Sequence, residues 1–239
     1  MTTDSDEPGP NQTPAGLDEH LAHTHRPLRT AAAGVLLMLL AVAGVTTAFV
    51  GAGPARVDRA VLTESIESRS VGLTELATAV TTVGSTAAMG LLATAVGLWL
   101  LRRGRGFDAL FVVGTMAGAA TLFTGIKRLL DRPRPPSVDR LVAASNESLP
   151  SGHATMAVAV LGSLVVLAWR GRSAVARAAM VAAVACWAGA VGLTRIYLGV
   201  HWFSDVLAGW LVGAAWLALC AALWSWYRSR HRPHAARPS

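Results

Sequence analysis

One segment near the middle of the chain places several positive charges and prolines directly after an apolar run. Residues 127–135 read KRLLDRPRP, and Lys127 is the only lysine among 21 basic residues. A lysine ammonium is a compact point charge, whereas arginine presents a planar fork. The single lysine therefore predicts a position that requires a compact cation beside a membrane surface.

A second segment, Pro-Ser-Gly-His at residues 150–153, has the composition of a helix start that binds an anion. Ser151 is a favoured N-cap residue, and the amides of Gly152 and His153 then lack intrahelical acceptors. Backbone donors at a helix N-terminus favour a negative group, and glycine lets such a group approach the backbone closely. The segment therefore predicts a helix start whose backbone amides can bind an anion such as a phosphate.

A third segment contains Thr194, Arg195, His201 and Asp205. Because His201 and Asp205 are four residues apart at the start of an apolar helix, we expect them on one face of that helix. The carboxylate can then accept a hydrogen bond from one imidazole nitrogen and leave the other as a nucleophile. Taken singly, either histidine could be an interfacial polar residue and Asp205 a helix cap; taken together, they indicate phosphoryl chemistry.

The composition shows which elements must position these residues. Hydrophobic residues make up 53% of the 239-residue chain, and the mean hydropathy of +0.45 is typical of an integral membrane protein. The net charge of +7 could suggest nucleic acid as a partner. The arginines, however, lie in short clusters between apolar runs, which is the pattern of topological anchors.

Six apolar runs are long enough to span a membrane as helices: residues 30–50, 76–101, 107–126, 153–169, 174–194 and 205–226. Residues 54–75 have the pattern of an amphipathic helix on the membrane surface. We therefore predict an all-α, polytopic protein with six transmembrane helices and one interfacial amphipathic helix. Its predicted parts are a disordered cytoplasmic tail (1–29), a membrane domain (30–226) and a basic cytoplasmic tail (227–239).

The positive charges predict the orientation. With both termini in the cytoplasm, most basic residues fall on the inner side, as the positive-inside rule expects. Six of the exceptions lie in one external loop or at the end of the fifth apolar run: Lys127, Arg128, Arg132, Arg134, Arg140 and Arg195. Contact with lipid headgroups suffices to explain Arg128 and Arg140. Arg132 could contact headgroups or an anionic ligand. The others predict an anionic ligand at a site that faces the extracytoplasmic side of the cell membrane.

Three motifs, complete and in order, carry a resemblance to a known family: Lys127-x6-Arg134-Pro135, Pro150-Ser151-Gly152-His153 and Arg195-x5-His201-x3-Asp205. They resemble the signature of the type 2 phosphatidic acid phosphatases, the lipid phosphate phosphatases, and the resemblance covers about residues 30–226. Thr194 departs from the serine that many members have before the arginine, and it keeps a hydroxyl.

The resemblance implies a role for each motif residue. His201 forms a phosphohistidine, Asp205 orients it, and His153 protonates the leaving oxygen and then activates water. The implied phosphate ligands are Lys127, Arg134, Ser151, Gly152 and Arg195. The resemblance implies neither a metal nor another cofactor.

Two other functions stay open at this point. A lipid phosphotransferase would use the same intermediate, and a non-catalytic lipid-phosphate binder would keep the cations but not require both histidines. The related vanadium-dependent haloperoxidases are soluble, which six apolar runs disfavour. The expected partners are membrane lipids and a lipid phosphate substrate, which could be phosphatidic acid, phosphatidylglycerol phosphate or a polyprenyl diphosphate. The sequence does not indicate an oligomeric state.

Overall fold

The polypeptide folds into α-helices joined by short turns and one long loop. The computed structural model describes residues 33–230, and that range contains no strand. Its α-helices are α1 (residues 33–49), α2 (Asp58–Glu67), α3 (Val71–Val83), α4 (Thr86–Arg102), α5 (Gly106–Leu130), α6 (Gly152–Ala168), α7 (Ala174–Tyr197) and α8 (Phe203–Arg230). The all-α prediction is confirmed.

The helices have the lengths of a multi-pass membrane protein. Within residues 33–230, five helical stretches are long and apolar enough to cross a membrane, and α6 is a shorter apolar helix of 17 residues. At about 1.5 Å per residue, α6 extends about 26 Å, slightly less than a bilayer core of about 30 Å. It packs against α4, α5, α7 and α8. Helix α6 is therefore central to the bundle.

The second apolar run is interrupted, which the sequence pattern did not predict. Helix α3 ends at Val83 and α4 begins at Thr86. The Ser85 hydroxyl accepts a hydrogen bond from Ala88 N at 3.1 Å, so it caps α4. A Cβ at Gly84 would lie 2.2 Å from a methyl group of Val191. Helix α7 therefore packs closely against this run at the break.

Small residues let α6 and α8 approach each other at the depth of the motif residues. A Cβ at Gly209 would lie 2.7 Å from the Ser151 carbonyl oxygen, and one at Gly213 would lie 2.7 Å from the Thr155 carbonyl oxygen. Both contacts are too close for any side chain, as expected for a small-xxx-small pair. The backbone of α8 is thereby held directly against the first turn of α6.

The described residues include little of the two predicted tails. The predicted tail at residues 1–29 lies outside the described residues, as do residues 231–239 of the second tail. Residues 227–230 continue α8. There, Arg228 Nη1 donates to Asp108 Oδ1 at 3.0 Å, which ties the end of α8 to α5.

Candidate active site

The motif residues converge where four elements of the bundle end or begin. Lys127 lies in the last turn of α5, Ser151 immediately precedes α6, and Arg195 lies in the last turn of α7. Asp205 lies in the first turn of α8. The Ser151 amide donates to the Asp205 carbonyl oxygen at 3.0 Å, so the starts of α6 and α8 are joined at the site.

His201 and Asp205 form a buried pair. His201 Nδ1 lies 3.4 Å from Asp205 Oδ2, and the two residues expose 2% and 0% of their surfaces. Asp205 Oδ2 also accepts from the Trp202 amide at 2.9 Å and from the Ser148 hydroxyl. A carboxylate has no proton to donate, so Nδ1 carries the hydrogen and Nε2 presents a lone pair.

The pair meets for a different reason from the helical spacing that we predicted. Helix α8 begins at Phe203, so His201 lies in the turn that precedes it. This turn is closed by the amides of Val200 and His201, which donate to the Arg195 carbonyl oxygen at 3.1 and 3.2 Å. Gly199 adopts φ +70°, and a Cβ there would lie 2.2 Å from the Asp139 carbonyl oxygen. The turn therefore requires glycine.

Arg134 lies against the free nitrogen of the imidazole. Its Nη1 is 3.2 Å from His201 Nε2 and also donates to the Val200 carbonyl oxygen, while Nη2 donates to Asn146 Oδ1 at 2.6 Å. Burial lowers the pKa of Arg134, but an arginine remains charged at pH 7. One predicted phosphate ligand thus contacts the predicted nucleophile directly.

Burial also sets the protonation state of His201. It lowers the pKa of the imidazole below the ordinary value of 6.5, and the charges of Arg134 and Lys127 act in the same direction. Asp205 opposes the shift but does not reverse it. His201 is therefore neutral at pH 7, which is the form that can act as a nucleophile.

The other predicted cations are buried in the same region. The Lys127 ammonium donates to the carbonyl oxygens of Glu147 and Ser148, the latter at 3.3 Å. Arg195 Nη1 donates to the Thr81 hydroxyl of α3 at 2.8 Å. Lys127 and Arg195 expose 3% and 7% of their surfaces. Cations this well buried are costly without a compensating negative charge.

Two buried polar atoms have no partner within residues 33–230, namely Ser151 Oγ and Arg195 Nε. Both belong to predicted phosphate ligands. Ser151 is the N-cap residue of α6, as predicted, and its hydroxyl makes no capping hydrogen bond. Each atom is a hydrogen-bond donor without a protein acceptor, which fits a site for an anion.

Gly152 also allows a close helix contact that the sequence did not predict. A Cβ at this position would meet the ring of Phe123 at 3.1 Å, so the missing side chain permits contact between α6 and α5. Next to it, His153 is partly exposed and interacts electrostatically with Arg195, His201, Arg134 and Lys127. The structure therefore brings both histidines and all three cations together.

Sequence reasoning missed a second layer of residues around Asp205. Arg132 is not a headgroup ligand; it forms an ion pair with Asp205 and a second one with Asp58 of α2. Arg140 also has a structural role, since its Nε donates to the Pro135 carbonyl oxygen at 2.8 Å. The one sequence feature that could have indicated this layer is Asp58, an acidic residue near the start of the predicted amphipathic segment.

No group of three His, Cys, Asp or Glu side chains within residues 33–230 is placed to hold a metal ion. Two clefts, of about 430 and 730 Å³, are lined mainly by apolar side chains of α5 to α8 and do not include the motif residues. The clustered histidines and cations are thus the part of the described structure with the groups needed for phosphoryl chemistry.

Comparison with known proteins identifies related sequences and folds. A family model described as the PAP2 superfamily matches residues 108–230, which contain all three motifs. Phosphatidylglycerophosphatase B of Bacillus subtilis is 28% identical over 164 residues, which cover 65% of this chain and 77% of that protein. The lipid A 1-phosphatase of Rhizobium johnstonii is 40% identical over 79 residues, covering 32% of this chain and 28% of that protein.

A solved structure has the same fold. The transmembrane PAP2-type phosphatidylglycerolphosphate phosphatase from Bacillus subtilis superposes with a TM-score of 0.71 at 23% identity. The superposition covers 84% of this chain and 98% of that one. The helical architecture is therefore shared over nearly the whole of the solved protein.

Proposed function

This chain belongs to the PAP2 superfamily, and from that premise we propose that it is a membrane phosphatase for lipid phosphates or diphosphates that acts through a phosphohistidine at His201. The observation that carries the proposal is the buried His201–Asp205 pair, whose neutral imidazole directs Nε2 toward the cations. A structural ion pair would not require a free nitrogen in that position. The relatives named as phosphatases support the same reaction class.

The first chemical step transfers the phosphoryl group to the protein. The lone pair on His201 Nε2 attacks phosphorus and the bond from phosphorus to the leaving oxygen breaks. His153, which must be protonated in the substrate complex, donates its proton to that oxygen and becomes neutral. Asp205 stabilises the positive charge that develops on His201. In the second step His153 takes a proton from water, the water oxygen attacks phosphorus, and the phosphorus–nitrogen bond breaks to restore neutral His201.

The cations stabilise the transition state. Lys127, Arg134 and Arg195 supply positive charge for the equatorial oxygens, and Ser151 Oγ and the Gly152 amide supply further donors. Arg134 now donates to His201 Nε2, so this hydrogen bond must pass to a phosphate oxygen before Nε2 can attack. Substrate binding thus both releases the nucleophile and fills the unpaired donors.

We test the reaction class with purified protein and three candidate substrates: phosphatidic acid, phosphatidylglycerol phosphate and a polyprenyl diphosphate. We expect inorganic phosphate from at least one of them, with oxygen from labelled water in the product. Activity should survive EDTA and be inhibited by vanadate, which adopts the geometry of the transition state. Transfer to an alcohol without solvent oxygen would instead indicate a phosphotransferase, and a requirement for added magnesium would contradict the metal-free mechanism.

We place the active site on the extracytoplasmic side, as the positive-inside rule favours. The test is labelling of intact cells by a membrane-impermeant thiol reagent, in a background lacking Cys186 and Cys220. A cysteine at Val138, which is 88% exposed on the motif loop, should react. A cysteine at Arg172, on the opposite end of the bundle, should react only after lysis. The reverse pattern would place the chemistry in the cytoplasm.

A further inference from the structure

The contacts of Asp205 extend beyond the predicted motifs. Arg132 reaches Asp205 Oδ1 with Nη1 and Asp58 Oδ2 with Nη2, the second at 2.8 Å. The Arg132 side chain is 12% exposed, that of Asp58 is 5% exposed and that of Asp205 is fully buried. Arg132 is therefore the centre of a buried carboxylate–guanidinium–carboxylate bridge. A planar fork suits this geometry, since each half of the guanidinium can serve one carboxylate.

Asp58 joins this bridge to the start of α8. Its Oδ1 accepts from the Ser204 amide at 2.8 Å, and its Oδ2 accepts from the Ser204 hydroxyl at 2.6 Å. A carboxylate of α2 thus caps α8 one residue before Asp205. The bridge fixes both the backbone that carries Asp205 and the carboxylate itself.

We propose that Arg132 and Asp58 are positioning residues that set the orientation of Asp205 and, through it, the basicity of His201. This inference rests on the proposed function, because it requires His201 to be the nucleophile. Arg132 holds Oδ1 and leaves Oδ2 for the imidazole. It also neutralises part of the carboxylate charge, which weakens the hold of Asp205 on a protonated His201. Asp58 in turn compensates the charge of Arg132.

The other charges around His201 come from every helix that meets the site. Lys127 of α5 and Arg134 of the loop act directly on the imidazole. His153 of α6 interacts with it, and Arg195 of α7 acts on His153. All of these groups are cationic or neutral, so Asp205 supplies the negative charge in contact with the imidazole. Any change in how strongly Asp205 acts should therefore change the proton affinity of His201.

The decisive experiment is the pH dependence of kcat/KM for Arg132→Gln with an aryl phosphate. Without the cation, Asp205 stabilises protonated His201 more strongly, so the pKa of His201 rises and the inactive protonated form persists to higher pH. We expect the acidic limb of the profile to move up by about one unit. We also expect kcat/KM to fall by about 10–100-fold, as for other residues that orient a reacting group. The position of the limb does not depend on how much of the protein is folded.

Three further variants complete the test. Arg132→Lys keeps the charge and should return the limb toward its original pH while kcat/KM stays reduced. Asp58→Asn should lower kcat/KM without moving the acidic limb to higher pH. The reason is that Arg132, freed from Asp58, then neutralises the charge of Asp205 more fully. Arg128→Gln, an exposed arginine with no hydrogen bond to another described residue, is the matched control and should change neither quantity.

The outcomes separate this inference from the proposed function. If the unaltered protein hydrolyses lipid phosphates but Arg132→Gln loses activity with an unshifted limb, Arg132 is merely structural and the inference is wrong. An Arg132→Gln protein with unchanged kcat/KM would overturn it as well. If the unaltered protein forms no phosphohistidine, the proposed function fails first.

Discussion

Replacement of His201 by alanine is expected to abolish the turnover of every substrate, whatever its leaving group. The imidazole Nε2 is the atom that we propose to bond to phosphorus, and His201 is the residue whose imidazole pairs with Asp205. Loss of a nucleophile from a cooperating set of residues typically costs several orders of magnitude in kcat. We therefore expect a loss of at least about 10⁴-fold for alkyl and aryl phosphates alike.

The measurement combines initial rates with a search for the phosphoenzyme. Acid-labile phosphate should be trapped on the unaltered protein and be absent from His201→Ala. Asp205→Asn is the graded control, because it keeps the shape of the pair but no longer favours the tautomer with hydrogen on Nδ1. It should be slow yet still form the intermediate. Residual phosphorylation of His201→Ala at the normal rate would show that another residue is the nucleophile.

The residues of this site were predictable from the sequence because their chemistry is specified by type and spacing. His201 stands four residues before Asp205, and Arg134 stands directly before Pro135. Each arrangement limits the chemical roles that its residues can have. The even number of apolar runs between motifs then puts them on one side of a membrane. Helix length and apolarity, which decide the fold class, are also local properties of the sequence.

The bridge through Arg132 could not be predicted in the same way. Its two partners are 74 and 73 residues away in the sequence, and no local pattern connects a residue of α2 with the loop after α5. The positive-inside rule identified Arg132 as an exception but did not distinguish a lipid headgroup from a buried carboxylate. That distinction depends on packing, which brings Asp58 to the start of α8.

Packing adds two features to the Pro-Ser-Gly-His segment that local sequence does not show. Ser151 is the N-cap residue of α6, as predicted, but its buried hydroxyl has no partner among the described residues. A Cβ at Gly152 would lie 3.1 Å from the ring of Phe123 of α5. Both features depend on how the neighbouring helices pack against this segment.

His153 differs from His201 in its surroundings, and this difference predicts a different response to mutation. The imidazole of His153 is partly exposed and makes no hydrogen bond to another residue within 33–230, so it is free to reach a leaving oxygen or a water. As general acid, it should contribute about 10²–10⁴-fold when an alkoxide departs. A nitrophenolate departs without a proton, so His153→Ala should retain a burst of product with an aryl phosphate.

The burst should be followed by a slow steady state, because we propose that the same residue activates water in the second step. The phosphorylated form of His201 should therefore accumulate in His153→Ala during aryl phosphate turnover, and acid-labile label should be found on the protein. His153→Gln keeps hydrogen-bonding groups but cannot exchange a proton, so it should behave like the alanine variant. Equal losses on alkyl and aryl substrates, with no trapped label, would falsify this division of roles and leave His153 as a phosphate ligand, since a group that only binds phosphate cannot distinguish between leaving groups.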